Sequence, residues 1–217
     1  MTAVEWNMIA KGVLETVQMT LMASVFAYIG GFPLGVLLYI TAKGHLLENK
    51  AANFIIGTIV NIGRSIPFLI FLVLLIPVTR FLVGTSIGTT ACVVPLTIGA
   101  IPIVARMVES SLNEVSSGII EAAQSMGASP LFIITHFIIP ESMPSLLLGA
   151  AINVASILGY SAMAGVIGGG GLGAIALQYG YYRYQKNILW LTVAILVVLV
   201  MVIQEAGIGL STRNRKS

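Results

Sequence analysis

The side chains that could coordinate a metal or act as nucleophiles are few and scattered in this sequence. It contains two histidines that lie far apart, His45 and His136, one cysteine within an apolar run, Cys92, and no aspartate. A zinc site needs several such ligands close together, and an enzyme buried in a membrane needs convergent His, Asp or Glu side chains. We therefore expect no metal site, no cofactor and no catalytic residues.

A glycine-rich run matches the pattern of a dinucleotide-binding motif. Gly168-Gly169-Gly170-Gly171-Leu172-Gly173 satisfies the pattern G-x-G-x-x-G, which binds a pyrophosphate only between a strand and a helix, with a carboxylate about 20 residues later. Here an apolar segment precedes the run and the next carboxylate is Glu205. We interpret the match as accidental and expect a flexible outer loop where a binding protein docks.

Nucleotide hydrolysis is also unsupported, because the P-loop sequence G-x-x-x-x-G-K-[ST] does not occur in the chain. That motif supplies the backbone N–H groups and the lysine that hold the phosphates of ATP. If the protein takes part in an ATP-driven process, we expect the ATPase to be a separate polypeptide.

The composition indicates a membrane protein. Of the 217 residues, 57% are hydrophobic and 9% are charged, and the mean hydropathy is +0.99, whereas soluble domains carry about 25% charged residues. The net charge of +3 comes from scattered cations, and the one basic cluster follows the last apolar segment. This pattern is typical of a cytoplasmic membrane anchor and excludes a nucleic-acid-binding face. The cluster comprises Arg213, Arg215 and Lys216.

The hydropathy pattern predicts an all-α membrane protein with five transmembrane helices in a single domain, residues 1–217. A helix needs about 20 mostly apolar residues to cross the bilayer, and the N-terminus lacks the pattern of a cleavable signal, so we expect the first segment to remain as a span. The five windows are approximately Val17–Ile40, Phe54–Val78, Ile87–Val104, Leu146–Ile167 and Ile188–Ile208.

The distribution of Lys and Arg favours an outer N-terminus and a cytoplasmic C-terminus, because cytoplasmic segments carry an excess of these residues. With that orientation, seven of the cations are inside and four are outside. The inner ones are Lys43, Lys50, Arg64, Arg106, Arg213, Arg215 and Lys216, and the outer ones are Lys11, Arg80, Arg183 and Lys186.

A segment of intermediate polarity separates the third span from the fourth. Residues 106–145 interleave charged side chains with Ile, Leu and Phe, which predicts short amphipathic helices packed against the bundle or against a partner. Within it we expect a stubby helix that has Glu121 near its start, keeps a small docking face through Ala122 and Ala123, and ends at Gly127. We expect Ser129-Pro130 to start the next helix, and Pro140 to stop it before the fourth span.

This segment resembles the EAA loop of ABC importer permeases. The family pattern is E-A-A, three residues, Gly, nine residues, then I-x-L-P, and in this chain Phe137 and Ile139 replace the Ile and Leu. The resemblance implies the core fold of a type I ABC importer permease, in which the loop couples the permease to a separate ATPase. An ordinary amphipathic connector is the alternative reading. The matching positions are Glu121, Ala122, Ala123, Gly127 and Pro140.

Further stretches make nearly the whole chain similar to methionine importer permeases. That resemblance implies two identical permeases on two ATPase subunits in the bacterial inner membrane, with methionine delivered by a periplasmic binding (lipo)protein. The stretches are Asn61–Phe68, Val94–Thr97, Ala105–Glu109, Gly159–Met163 and Gln178–Tyr181.

The best candidates for a gate on the pathway are Tyr160, Ser161 and Met163, which lie among small residues of the fourth span. The soft thioether of Met163 suits a contact that closes without gripping a substrate, although ordinary core packing explains these residues equally well. Arg64, the most deeply placed cation, is a functional candidate that can also snorkel to the cytoplasmic interface or pair there.

Two other functions are less well supported by the sequence. A secondary transporter predicts paired ionisable groups near the bilayer midplane and internal repeats, and the sequence shows neither. A permease for another amino acid or small polar solute within the same ABC class remains open, because selectivity resides largely in the binding protein.

Overall fold

The computed structural model describes residues 3–214, and it describes the side chains of residues 4–212. This part of the chain is helical and contains no strand. The basic residues Arg215 and Lys216 lie outside the described part. Short π-helical stretches at Ile134–Ile138 and Ala176–Tyr181 follow directly on two short helices that end at Ile133 and Ile175. The helices are α1 (Ala3–Thr41), α2 (Lys50–Ser65), α3 (Phe68–Leu74), α4 (Ile76–Val83), α5 (Thr89–Leu112), α6 (Ser117–Ser125), α7 (Pro130–Ile133), α8 (Ile139–Ala164), α9 (Gly171–Ile175) and α10 (Lys186–Asn214).

Four long apolar helices and one bent pair have the length and composition of membrane spans. The long ones cover Val4–Thr41, Thr89–Leu112, Pro130–Ile167 and Lys186–Thr212, and the bent pair is α2 with α3. The predicted all-α fold with five apolar spans is therefore confirmed.

The second span differs from its prediction because it is broken. The axes of α2 and α3 meet at 102°, at Ile66 and Pro67. Ile66 has an extended backbone with φ −80° and ψ 124°, since a proline disfavours the α conformation of the residue before it. The window Phe54–Val78 is therefore two helices and part of α4, not one straight span.

Two other helices begin earlier than predicted. α1 starts at Ala3 rather than Val17, and the fourth span starts at Pro130 rather than Leu146. The prediction that Pro140 stops a helix was wrong, because Pro140 lies within the continuous span Pro130–Ile167. The π-helical stretch just before it changes the local hydrogen-bond register, and such adjustments accommodate a missing N–H.

The centre of the bundle is the contact between α1 and α5. Gly31 faces Val104, and four residues later Gly35 faces Val108, so the two helices run parallel. Glycines let the two backbones approach closely, as is common between membrane helices. α2 and α8 pack on the other sides of α5 and run antiparallel to it. Along α2 the neighbours are Gly57–Arg106 and Gly63–Pro102, and along α8 they are Ser145–Ser111 and Gly149–Met107.

The close approach at Gly35 predicts a sharp response to side-chain size. A Cβ at this position would lie 2.6 Å from Val108 Cβ, so Gly35→Leu should lower the melting temperature of the purified protein by about 5 °C or more through overpacking. Gly209→Leu is the control, because no atom lies within 4 Å of a Cβ there. Equal melting temperatures for the two variants would contradict the α1–α5 packing.

Candidate functional site

The predicted coupling segment forms a short helix that projects between α5 and α7. The Gly127 N–H donates to Gln124 O at 2.9 Å and the Ala128 N–H donates to Ala123 O at 3.1 Å. Gly127 has φ +77°, a left-handed conformation that glycine adopts with little strain. The prediction that Gly127 ends this helix is confirmed.

The two faces of α6 have different surroundings. Glu121, Ala122 and Gln124 are exposed, and Met126, which follows the helix, is 74% exposed. Ala123 is 1% exposed and belongs to the same hydrophobic cluster as Val108 and Leu112 of α5. The outer face is therefore free for a partner, while the inner face ties α6 to the bundle.

Two details of this segment differ from expectation. Ala123 does not share the docking face with Ala122, because it is buried. Glu121 lies in the second turn of α6 rather than near its start, since the helix begins at Ser117. The predicted start at Ser129-Pro130 is confirmed: the Ser129 side chain accepts from the Phe132 N–H, and Pro130 occupies the first turn of α7.

The three gate candidates do not share one face of α8. Tyr160 stacks on Phe68 of α3 with ring centroids 4.3 Å apart, which brings the fourth span against the bent second one. Met163 is 47% exposed. Ser161 is buried and donates to Leu158 O at 2.7 Å, so its hydroxyl is already occupied. The structure groups Tyr160 with Phe68 and separates Ser161 from Met163.

The glycine-rich run is not an open loop, which corrects the expectation from sequence. Gly169, Gly171 and Gly173 are buried, and the run turns the chain back into α9. The Gly171 N–H donates to Glu15 Oε2 at 2.8 Å and the Leu172 N–H donates to Thr16 Oγ1 at 2.9 Å. The first turn of α9 is thus capped by two α1 side chains, which we call the α1 clasp.

Sequence reasoning missed a polar cluster where α2 and α5 meet. Arg106 Nη1 lies 2.7 Å from Glu109 Oε2, and Arg106 Nη2 donates to Asn61 Oδ1 at 2.9 Å. The spacing of Arg106 and Glu109 permitted an ion pair on one helix face, but Asn61 carries no such signal. Arg64 lies nearby in the last turn of α2 and is exposed.

Comparisons with known proteins decide the family. The model of the family described as "Binding-protein-dependent transport system inner membrane component" matches residues 31–208. The chain belongs to this family. The predicted ABC importer permease, a translocation subunit rather than an enzyme, is thereby confirmed, as is its place as a multi-pass protein of the inner membrane.

Individual relatives cover nearly all of the permease. The "Probable D-methionine transport system permease protein MetI" of Vibrio cholerae is 49% identical over 211 residues, which cover 97% of this chain and 94% of the relative. The D-methionine transport system permease protein of Escherichia coli K12 is 48% identical over 158 residues, 73% of each chain.

Solved structures agree with the described architecture. A chain of the MetNI methionine ABC transporter in an inward-facing conformation superposes with a TM-score of 0.97 at 44% identity and covers 99% of both chains. An amino acid ABC transporter crystallised with histidines, 22% identical, superposes with a TM-score of 0.79 over 98% of this permease and 100% of that chain. The latter likeness extends to the fold alone.

The α1 clasp yields a testable prediction. Removing the carboxylate with Glu15→Ala should free the N–H group of Gly171, because hydrogen bonds to charged groups contribute about 1.5–3 kcal/mol, while the Leu172 N–H keeps its bond to Thr16 Oγ1. Hydrogen–deuterium exchange of peptides covering 170–176 should accelerate about tenfold or more. Lys11→Ala is the control, since it removes an exposed ammonium that lies 3.8 Å from Glu15 Oε1 and leaves the Glu15 carboxylate in place. Equal exchange in both variants would contradict the clasp.

Proposed function

We propose that this permease carries methionine across the inner membrane as one of two identical subunits driven by two copies of a separate ATPase. The substrate is supported by relatives that are named for D-methionine transport and by the likeness to a solved methionine transporter. A periplasmic methionine-binding (lipo)protein would deliver the substrate, in keeping with the family's binding-protein-dependent description. No bond of the substrate changes during transport.

The observation that carries the proposal is the continuity between α6 and the core. One hydrophobic cluster includes Ala123 of α6, Val115 before it and Ile133 after it, and reaches Val104 in the middle of α5. Close-packed interiors transmit displacement because they contain few voids. A partner that moves the exposed face of α6 therefore moves α5 with it.

This coupling supports a specific cycle. ATP closes the ATPase dimer, the ATPases draw the two α6 helices together, and the two bundles rock so that the central cavity opens outward. Hydrolysis reverses the motion and opens the cavity inward. In the coupling loop Glu121 presents a carboxylate to a cation of the ATPase, Ala122 permits close docking, Ala123 anchors α6 and Gly127 sets its end. Pro140 follows the π-helical stretch within the fourth span, which carries the motion of the loop into the bundle.

The elements at the two ends of α5 support an orientation of the chain in the membrane. α6 follows the C-terminal end of α5, and the glycine turn lies by the N-terminal end of α5, where the Gly88 N–H donates to Gly168 O at 3.0 Å. If α6 meets a cytoplasmic ATPase, the parallel helix α1 must begin outside. This agrees with the charge distribution and gives an outer N-terminus and a cytoplasmic C-terminus.

The function and its coupling are tested together by Gly127→Asp. A non-glycine residue at φ +77° is strained, and the added charge faces the partner surface. In vesicles containing the permease, its ATPase and the binding protein, the wild type should import labelled methionine with ATP, and the variant should lose about tenfold or more of the uptake rate while still assembling.

Gly118→Ala is the control, because Gly118 lies in α6, the helix that Gly127 follows, has an ordinary φ and is exposed. Full uptake by Gly127→Asp would refute the coupling role. Absence of ATP-driven methionine uptake by the wild type, with uptake of another amino acid, would reassign the substrate.

We further propose that the exposed Met163 of each subunit meets its twin at the twofold axis and closes the pathway beside Tyr160, with Ser161 supporting this turn of α8 from within. Met163→Cys should then form a disulfide-linked permease dimer on oxidation in at least one nucleotide state. Met201→Cys is the control, since Met201 is 57% exposed on α10. Crosslinking of neither variant or of both alike would count against the gate.

A further inference from the structure

A crevice of about 520 Å³ opens between α2, α5 and α8 beside the polar cluster. Its volume falls within the roughly 300–1,000 Å³ of small-molecule sites. Arg64, Glu109, Ser110 and Asn153 supply polar groups, while Ile103 and Met107 form an apolar wall. The crevice thus combines a cation, an anion and a hydrophobic surface.

Arg64 lacks a counter-charge among the described residues. It makes no hydrogen bond or ion pair with residues 3–214, and Glu109, the only carboxylate that lines the crevice, is bonded to Arg106. Fourteen residues of α2 separate Lys50 from Arg64, which is about 21 Å at 1.5 Å per residue. In the proposed orientation α2 enters the bilayer near Lys50, and a cation that far along the helix calls for an anion or a water-filled cavity.

The other charges are held in fixed positions. Arg106 bridges Glu109 on its own helix and Asn61 on α2, and it also reaches Gly57 O at 3.4 Å. Only Oε2 of Glu109 bonds to Arg106, so Oε1 keeps its capacity to accept. Arg106 also lines the crevice but is engaged by these bonds, so the crevice offers the guanidinium of Arg64 as a donor and Oε1 of Glu109 as an acceptor.

We propose that this crevice is a transient binding site for the amino-acid zwitterion on the inner half of the pathway, which we call the zwitterion station. Arg64 binds the α-carboxylate, since a guanidinium donates to both carboxylate oxygens. Glu109 accepts from the α-ammonium, and Ile103 and Met107 contact an apolar side chain. The inference rests on the proposed function, because it takes an amino acid to be the transported solute.

The position of the crevice agrees with this role. Asn153 also lies with Ile103 and Tyr160 around an apolar gap that is too small to hold a water molecule, so one face of α8 extends from the gate candidate to the crevice. The substrate would pass Tyr160 before its charged groups reach Arg64. An accessible inner station is expected of a chain that resembles an inward-facing transporter.

The test is photolabelling of the assembled permease–ATPase complex in phosphatidylcholine nanodiscs with a diazirine analogue of methionine. Mass spectrometry should find the label on peptides covering 57–64 and 103–113, and excess methionine should compete whereas methioninol, which lacks the carboxylate, should not. Arg64→Gln should reduce this labelling about tenfold, and Arg64→Lys should restore part of it. Arg80→Gln is the control, since Arg80 is exposed in the last turn of α4 and its guanidinium donates to Ser86 Oγ, away from the crevice.

Several outcomes overturn the station. If methionine and methioninol competed equally with the label on the wild type, the zwitterion station would be refuted. This comparison needs no variant, so it stands even if Arg64→Gln fails to assemble. Loss of the label when phosphatidylglycerol replaces phosphatidylcholine would assign the anion site to a lipid phosphate. Methionine uptake measured in parallel separates the two proposals. If the wild type imports methionine and Arg64→Gln keeps full labelling, the zwitterion station is refuted and the proposed transport function stands.

Discussion

In hydrocarbon an unpaired backbone N–H or C=O is costly, so irregular backbone survives in a membrane protein only where other groups of the protein or water satisfy it. The glycine turn of this permease obeys that constraint in detail. Glu15 and Thr16 accept from Gly171 and Leu172, and the Gly169 N–H donates to Ala164 O at 3.0 Å. The α1 clasp therefore lets the chain reverse between α8 and α10 inside the bundle. α1 serves both as a span and as the cap of a helix that lies far along the chain.

Close packing between helices determines which parts of the bundle can move together. α1 and α5 contact each other through glycines, which leaves little room for one helix to slide past the other. The hydrophobic cluster that contains α5 continues into α6 and α7. The inner face of α6 therefore belongs to a closely packed unit and not to a loose loop, which is what the proposed coupling requires. The bend between α2 and α3 brings Phe68 onto Tyr160, so the broken second span contacts the helix that carries the gate candidates.

The few charges of the chain have distinct positions. Glu15 caps backbone, Arg106 and Glu109 hold α2 against α5, and Glu121 stays exposed on α6. Arg64 has no counter-charge within the described residues, which sets it apart from Arg106. Charged side chains at membrane depth tend to mark pathways because their desolvation is otherwise uncompensated, and the zwitterion station proposed above would supply a counter-charge for this one.

The sequence by itself determined the membrane environment, the five apolar segments, the end of α6 at Gly127 and the start of α7 at Ser129-Pro130, because these depend on composition and on preferences of neighbouring residues. It did not reveal that Glu15 reaches Gly171, a residue 156 positions away, or that Arg106 bonds Asn61, 45 positions away. It also misjudged Pro140, where a π-helical stretch keeps the helix intact, and it mistook a buried turn for an open loop. These features were decided by the tertiary structure, since a hydropathy window averages over neighbours and carries no information about which distant helix supplies the missing hydrogen-bond partner.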